Sequence, residues 1–128
     1  MTAMIGLRRE DKSEWERRVP ITPQDAASLQ REHGVRVVAE SSPTRAFTDA
    51  EFQEKGIPVR EDLASCPIIL GIKEIPKESF EPDKTYVFFS HVIKGQPYNM
   101  PMLQRMLDMG CTLIDYERVV DETNRRLI

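Results

Sequence analysis

The sequence predicts an α/β fold: three layers, with a mostly parallel sheet flanked by helices. Two observations carry this. Short apolar, often β-branched runs alternate with helical patterns along the chain, and strand–helix–strand alternation closes most simply as a parallel sheet with helices on both faces. One of the runs, 67-PIILGI-72, is apolar throughout, as a strand buried on both faces has to be.

Taken in order, Met4 to Leu7 reads as the first strand. The segment 22-TPQDAASLQREHG-34 carries full helix punctuation, with Thr22 as N-cap, Pro23 at the first helical position, Asp25 in an acidic first turn and Gly34 as the stop. Val35 to Ala39 is the second strand. A second helix lies in 48-TDAEFQEKG-56, where Thr48 and Glu51 form a capping box and Gly56 ends the turn. Ile57 to Val59 reads as a short strand, and Pro67 to Ile72 and Thr85 to Phe89 as two further ones. A helix from about Asn99 to Met109 sets Met102, Leu103, Met106 and Leu107 on one face, with Gly110 behind it, before a strand from Cys111 to Ile114. Arg125 to Ile128 reads as the start of another element. No repeat, low-complexity segment or long linker interrupts the pattern, so residues 1–128 read as a single domain.

Composition excludes several function classes. A chain of 128 residues can bury a real core, and its 40% hydrophobic and 30% charged residues are those of a globular protein. The net charge of −3 argues against a general nucleic-acid surface. No apolar run approaches the roughly 18 residues that span a bilayer, so no membrane partner is expected. The N-terminus enters a strand-like run at once, which reads as a cytoplasmic chain with no leader to remove. Cys66 and Cys111, each beside an apolar run, read as packed, reduced thiols rather than a disulfide.

In an open parallel sheet, ligands bind beyond the carboxyl ends of the strands. After the first strand come Arg8 and Arg9, then Trp15, Glu16, Arg17 and Arg18. After the others come Lys73 and Glu74; Ser90, His91 and Lys94; and Asp115, Tyr116 and Glu117. Cations, carboxylates and a histidine gathered at one edge suit an anionic, carboxylate-bearing ligand, because arginine grips carboxylates bidentately. A lysine and a histidine crowded among cations suit proton transfer near neutral pH, and nearby glutamates oppose that crowding and orient the bases.

Blander readings stand beside these. Lys73–Glu74 reads equally as a solvated loop pair, His91 as a packed or surface histidine, and Trp15 as cover for the core edge. His33, beside Gly34, reads as a helix-end dipole partner. Ser90 does not read as a nucleophile, since neighbours on an extended chain point apart and no glycine elbow surrounds it. There is no HxxxH, CxxC or aspartate cluster to hold a metal. Gly6, Gly34, Gly56, Gly71, Gly95 and Gly110 form neither GxGxxG nor a P-loop, so the chain is expected to bind no nucleotide by itself.

Four tracts carry a resemblance: 7-LRREDKSEWERRVPITP-23, 70-LGIKEIPKE-78, 86-YVFFSHVIKGQPYNM-100 and 113-LIDYERVVDETNRR-126. In this order, over nearly the whole chain, they resemble the N-terminal domain of the lysine–ketoglutarate reductase or lysine-forming saccharopine dehydrogenase family. That family is related to alanine dehydrogenase and the transhydrogenase alpha subunit, and its N-terminal domain is Rossmann-like. WERR-x-P-x-TP and FFSH-x-IK-x-Q are the long, specific tracts. Alanine dehydrogenases share only the shorter R-x-x-x-TP, VKEP and His signals.

The resemblance implies an oxidoreductase that interconverts lysine plus 2-oxoglutarate with saccharopine, using NAD or NADP in the full-length parent. It implies Lys73 and His91 as the catalytic pair, with Glu74 and Glu117 tuning them. It implies Arg18 and Arg126 as holders of substrate carboxylate, and Lys94 and Lys12 as further lining of the crevice. The dinucleotide-binding domain that follows in the family is absent here, so the chain reads as an excised part of a longer enzyme, inactive alone and open to homo-oligomer formation. Two alternatives stay open: an alanine dehydrogenase-like domain, and a stand-alone, non-catalytic module for an amino acid or 2-oxo acid.

Overall fold

The computed structural model describes residues 3–128. Its main elements are β1 (Met4–Leu7), α1 (Pro23–His33), β2 (Arg36–Glu40), α2 (Asp49–Glu54), β3 (Val59–Arg60), β4 (Ile68–Leu70), β5 (Thr85–Phe88), α3 (Met100–Asp108) and β6 (Thr112–Asp115). The strands form one sheet in the order β3-β2-β1-β4-β5-β6, and every pairing is parallel. All six carboxyl ends therefore meet at one edge.

The helix signals act as expected. Thr22 accepts from the Asp25 amide, and Gly34 closes α1 in the left-handed region at φ 65°. Thr48 and Glu51 make a reciprocal capping box on α2. The strands expected from Val35 and Cys111 start one residue later, because the amides of those two residues bond back to Leu29 and Met106 in the preceding helices. Leu107 is a correction. It is 65% exposed, because it falls about 140° around α3 from the buried Met102. Arg125 to Ile128 is another: it begins no new regular element. It is the exposed return limb of a turn anchored on Asp121, with an antiparallel bridge between Val120 and Arg126.

Alternation along the strands divides the core in two. On one face Leu7, Val37 and Ala39 pack against Ala26 of α1 and Phe52 of α2. On the other, Val38, Ile69, Tyr86 and Phe88 pack against Met102 and Met106 of α3 and against Leu63, Cys66 and Phe80 of the intervening loops. The guanidinium of Arg45 stacks 4.7 Å from the Phe52 ring centroid and pairs with Asp49 at 2.7 Å, pinning the loop between β2 and α2. Cys66 and Cys111 are free thiols. Among the described residues no helix is long and apolar enough to cross a membrane.

Gly6 sits where Leu63 and Cys66 press on the sheet: an added Cβ would lie 3.0 Å from Leu63 Cδ1 and 3.1 Å from Cys66 Cβ. Gly6→Val should therefore overpack this face and destabilise by about 1–3 kcal/mol. Urea unfolding should show a lower midpoint at an unchanged slope.

Candidate active site at the carboxyl edge

β4 and β5 are neighbours, so the segments leaving them deliver Lys73–Glu74 and Ser90–His91 side by side. His91 is in the left-handed region, at φ 58°. That conformation turns its ring between two carboxylates. Nε2 lies 3.0 Å from Glu117 Oε1, and Nδ1 lies 3.5 Å from Glu74 Oε1. Neither ring contact has hydrogen-bond alignment, and Nδ1 is covered and without a hydrogen-bond partner. Glu74 also faces Lys12, whose ammonium is 3.9 Å from Oε2.

Asp115, at the end of β6, organises this arrangement. Its Oδ2 accepts from Ser90 Oγ at 2.5 Å and from the Ser90 and His91 amides at 3.2 Å. Its Oδ1 accepts from the Glu117 amide at 2.9 Å. Asn99 Nδ2 donates to the Ser90 carbonyl at 3.2 Å. Ser90 is fully buried and spends its hydroxyl on Asp115. The dismissal of Ser90 as a nucleophile thus stands on a different ground from the one expected, since the chain at His91 is not extended.

From the long segment after β1, Glu10 reaches across to β4. Its two oxygens accept from the Lys73 amide at 2.7 Å and the Ile72 amide at 3.1 Å. Burial pushes the Glu10 carboxyl up, against the pull of those two amides and of Arg8. Glu16 meets Arg18 in a bidentate pair, at 2.6 Å to Nη2 and 2.9 Å to Nε, and lies within electrostatic reach of Lys73. Tyr116 packs its ring at a tilt against Phe89, with centroids 4.8 Å apart, and burial pushes its phenol up to about 12. A cleft of about 390 Å³ opens beside Glu74 and Lys12, walled by Pro76, Tyr98 and Met102.

The residues singled out in the sequence are not all brought together. Lys73, Glu74, His91, Glu117 and Lys12 share the carboxyl edge, and Arg18 joins through Glu16. Lys94 follows in the 3-10 turn Val92–Lys94 and is exposed. Arg126 bonds the Ile128 carbonyl instead, at 3.1 Å, and among the described residues makes no hydrogen bond or ion pair with these side chains. Trp15 covers no core edge, being 81% exposed. Glu10 escaped the sequence reading, and so did the anchoring role of Asp115. The available signal was their type, carboxylates at strand ends where the ladder stops. Among the described residues no group of three or more metal-ligating side chains is arranged to hold an ion.

The Arg18 contact holds the Glu16 carboxyl at about 2, below its ordinary 4.5. A depressed carboxyl contributes stability that is complete above the unfolded value and is lost as pH falls through the folded one. The Glu16–Arg18 contribution should therefore fade between about pH 4.5 and pH 2. Glu16→Gln should flatten the pH dependence of stability across that window, measured by urea unfolding at successive pH values.

The family model described as "Alanine dehydrogenase/PNT, N-terminal domain" matches residues 6–128. Alpha-aminoadipic semialdehyde synthase, mitochondrial, from Bos taurus is 40% identical over 98% of this chain, which spans 14% of that protein. Saccharopine dehydrogenase [NAD(+), L-lysine-forming] from Yarrowia lipolytica is 34% identical over 99% of this chain, which spans 36% of it. Transhydrogenase from Sinorhizobium meliloti superposes with a TM-score of 0.77 at 17% identity, over 94% of this chain and 36% of that one, and so shares the fold. With the match running through every strand and through the whole carboxyl edge, the chain belongs to the alanine dehydrogenase/PNT N-terminal domain family.

Proposed function

We propose that this chain is the substrate-side domain of an NAD(P)-dependent oxidoreductase that interconverts lysine plus 2-oxoglutarate with saccharopine. The observation that carries the proposal is His91 held between Glu74 and Glu117, one strand over from Lys73. The likeness to the lysine-forming saccharopine dehydrogenase of Yarrowia supports the reaction class.

Condensing an amine with a 2-oxo acid needs a base to take the ammonium proton and an acid to protonate the departing hydroxyl. In this reading Lys73 and His91 are that pair. An ionised carboxylate only accepts hydrogen bonds, so in this reading the His91 Nε2, 3.0 Å from Glu117, carries the hydrogen that faces it. Nδ1 is then the atom on which a proton comes and goes. Its loose contact with Glu74 is the one that can be exchanged for a substrate atom. Arg18 gives Nε and Nη2 to Glu16, so it meets a substrate carboxylate with its remaining edge. Arg126 and Lys94 are proposed to close on the substrate from the exposed rim.

The residues present do not fit a dinucleotide. The connection from Arg8 to Thr22, where such a fold places its glycine-rich turn, contains no glycine. The Ile72 and Lys73 amides beside it are already committed to Glu10. In this reading the dinucleotide belongs to another part of the parent, and these residues handle protons and carboxylates alone. Calorimetric titration of the isolated chain with NAD(H) or NADP(H) should give no binding heat; a dissociation constant in the micromolar range would contradict this.

Steady-state kinetics of the full-length parent test the roles. Lys73→Met and His91→Gln should each lower turnover by about a hundredfold to ten-thousandfold and remove limbs of the pH–rate profile. Arg18→Ala should act mainly by raising the Michaelis constant for 2-oxoglutarate or saccharopine. Parental turnover with an unchanged pH profile in both of the first two variants would reduce the crevice to a binding site.

A further inference from the structure

We propose that Glu10 is the positioning residue for Lys73: by bridging the last two amides of the β4 end, its carboxylate fixes the direction in which the lysine leaves the sheet. This rests on the reading of Lys73 as a proton-transfer residue and deepens it. Strand β1 pairs with β4 up to Leu7 opposite Leu70, and the Arg8 amide adds a last bond to the Leu70 carbonyl at 2.9 Å. Beyond that point the two strands diverge. The next amides of the β4 end would face a gap, and Glu10 fills it from more than 60 residues away in sequence, at 3.1 Å to Ile72 and 2.7 Å to Lys73. On the opposite side, the Ile72 carbonyl accepts from the Phe89 amide at 2.9 Å. The backbone entering Lys73 is thus held from both flanks, by β5 on one and by a side chain on the other.

The neighbourhood is shaped for this carboxylate. A Cβ on Gly71 would lie 3.3 Å from Glu10 Oε2 and 3.7 Å from Arg8 Cδ, so the glycine leaves the space that the carboxylate occupies. The charged groups around Glu10 are Arg8, Glu16 and Arg18 from its own segment, with half-buried Tyr116 within electrostatic reach from beyond β6. None of these makes a hydrogen bond to Glu10, whose two oxygens are given to the two amides.

The test uses the full-length parent. Glu10→Gln keeps the size but replaces one acceptor oxygen with an amide group that faces a donor. Turnover should fall about tenfold to a hundredfold, the scale of a small misplacement of a reacting group. The Michaelis constants should stay near parental, because the substrate does not touch Glu10. In a Lys73→Met background the same change should leave the residual turnover unaltered, since Glu10 acts through the lysine. Gly71→Ala is the second route. It retains the carboxylate and presses on Oε2, and it should lower turnover in the same Lys73-dependent way; it carries the cycle if Glu10→Gln does not fold. Parental turnover in both variants, or an equal loss with and without Lys73, would overturn the proposal and leave Glu10 a structural residue. Parental turnover in Lys73→Met alone would remove the lysine from the chemistry and sink the reading beneath it.

Discussion

The geometry of the site hangs on one buried carboxylate. Asp115 collects the Ser90 hydroxyl, the Ser90 and His91 amides and the Glu117 amide on its two oxygens. A non-glycine residue in the left-handed region costs roughly 1–2 kcal/mol. Several charge-assisted hydrogen bonds in a covered site offset that cost. The same anchor thus fixes the turn that aims His91 and the turn that supplies Glu117. Both ends of the 3.0 Å contact between them are set by one side chain. Removing Asp115 would leave buried donors unpaired and release both partners at once.

A wider constraint lies behind this. Where a parallel ladder stops, amides at the strand ends lose their partners while still partly covered. Here two carboxylates take over. Glu10 serves the end of β4 from the segment after β1, and Asp115, the last residue of β6, serves the end of β5 and the turn that follows its own strand. The edge that presents reactive side chains is therefore held rigid by side chains that do not react. That allows short strands, three residues in β4 and four in β5, to place Lys73 and His91 with precision.

What was legible in the sequence was whatever is encoded locally. Thr22, Gly34 and the Thr48–Glu51 box signal helix ends through bonds spanning a few residues, and they bounded α1 and α2 closely. The parallel sheet followed from alternation, and with it the gathering of Lys73, Glu74, His91 and Glu117 at one edge. What stayed hidden depends on contacts through space. Glu10 and Ile72 are brought together only by the pairing of β1 with β4, and nothing near His91 in sequence announces its left-handed backbone. Leu107 looked like core because the helical face was drawn one residue too wide. Trp15 looked like cover because its ring is large, and only the folded loop shows it facing solvent.

The charge pattern revises the chemistry expected of the edge. The sequence suggested a lysine and a histidine crowded among cations. Folding instead alternates the signs: Arg18 meets Glu16, which reaches toward Lys73, while Lys12 and His91 both face Glu74 and His91 also meets Glu117. A dicarboxylate entering this rim would add negative charge to a surface already holding four glutamates, counting Glu10. In the proposed reaction it can be stabilised only by cations not already committed. Those are the open edge of Arg18, whose side chain is 61% exposed, together with Lys94 and Arg126 at the exposed rim. On this view the glutamates have two effects. They hold the acid–base pair in place, and they confine carboxylate binding to the outer cations, so that the amine, and not the carboxylates, is the part of the substrate drawn in beside Lys73 and His91.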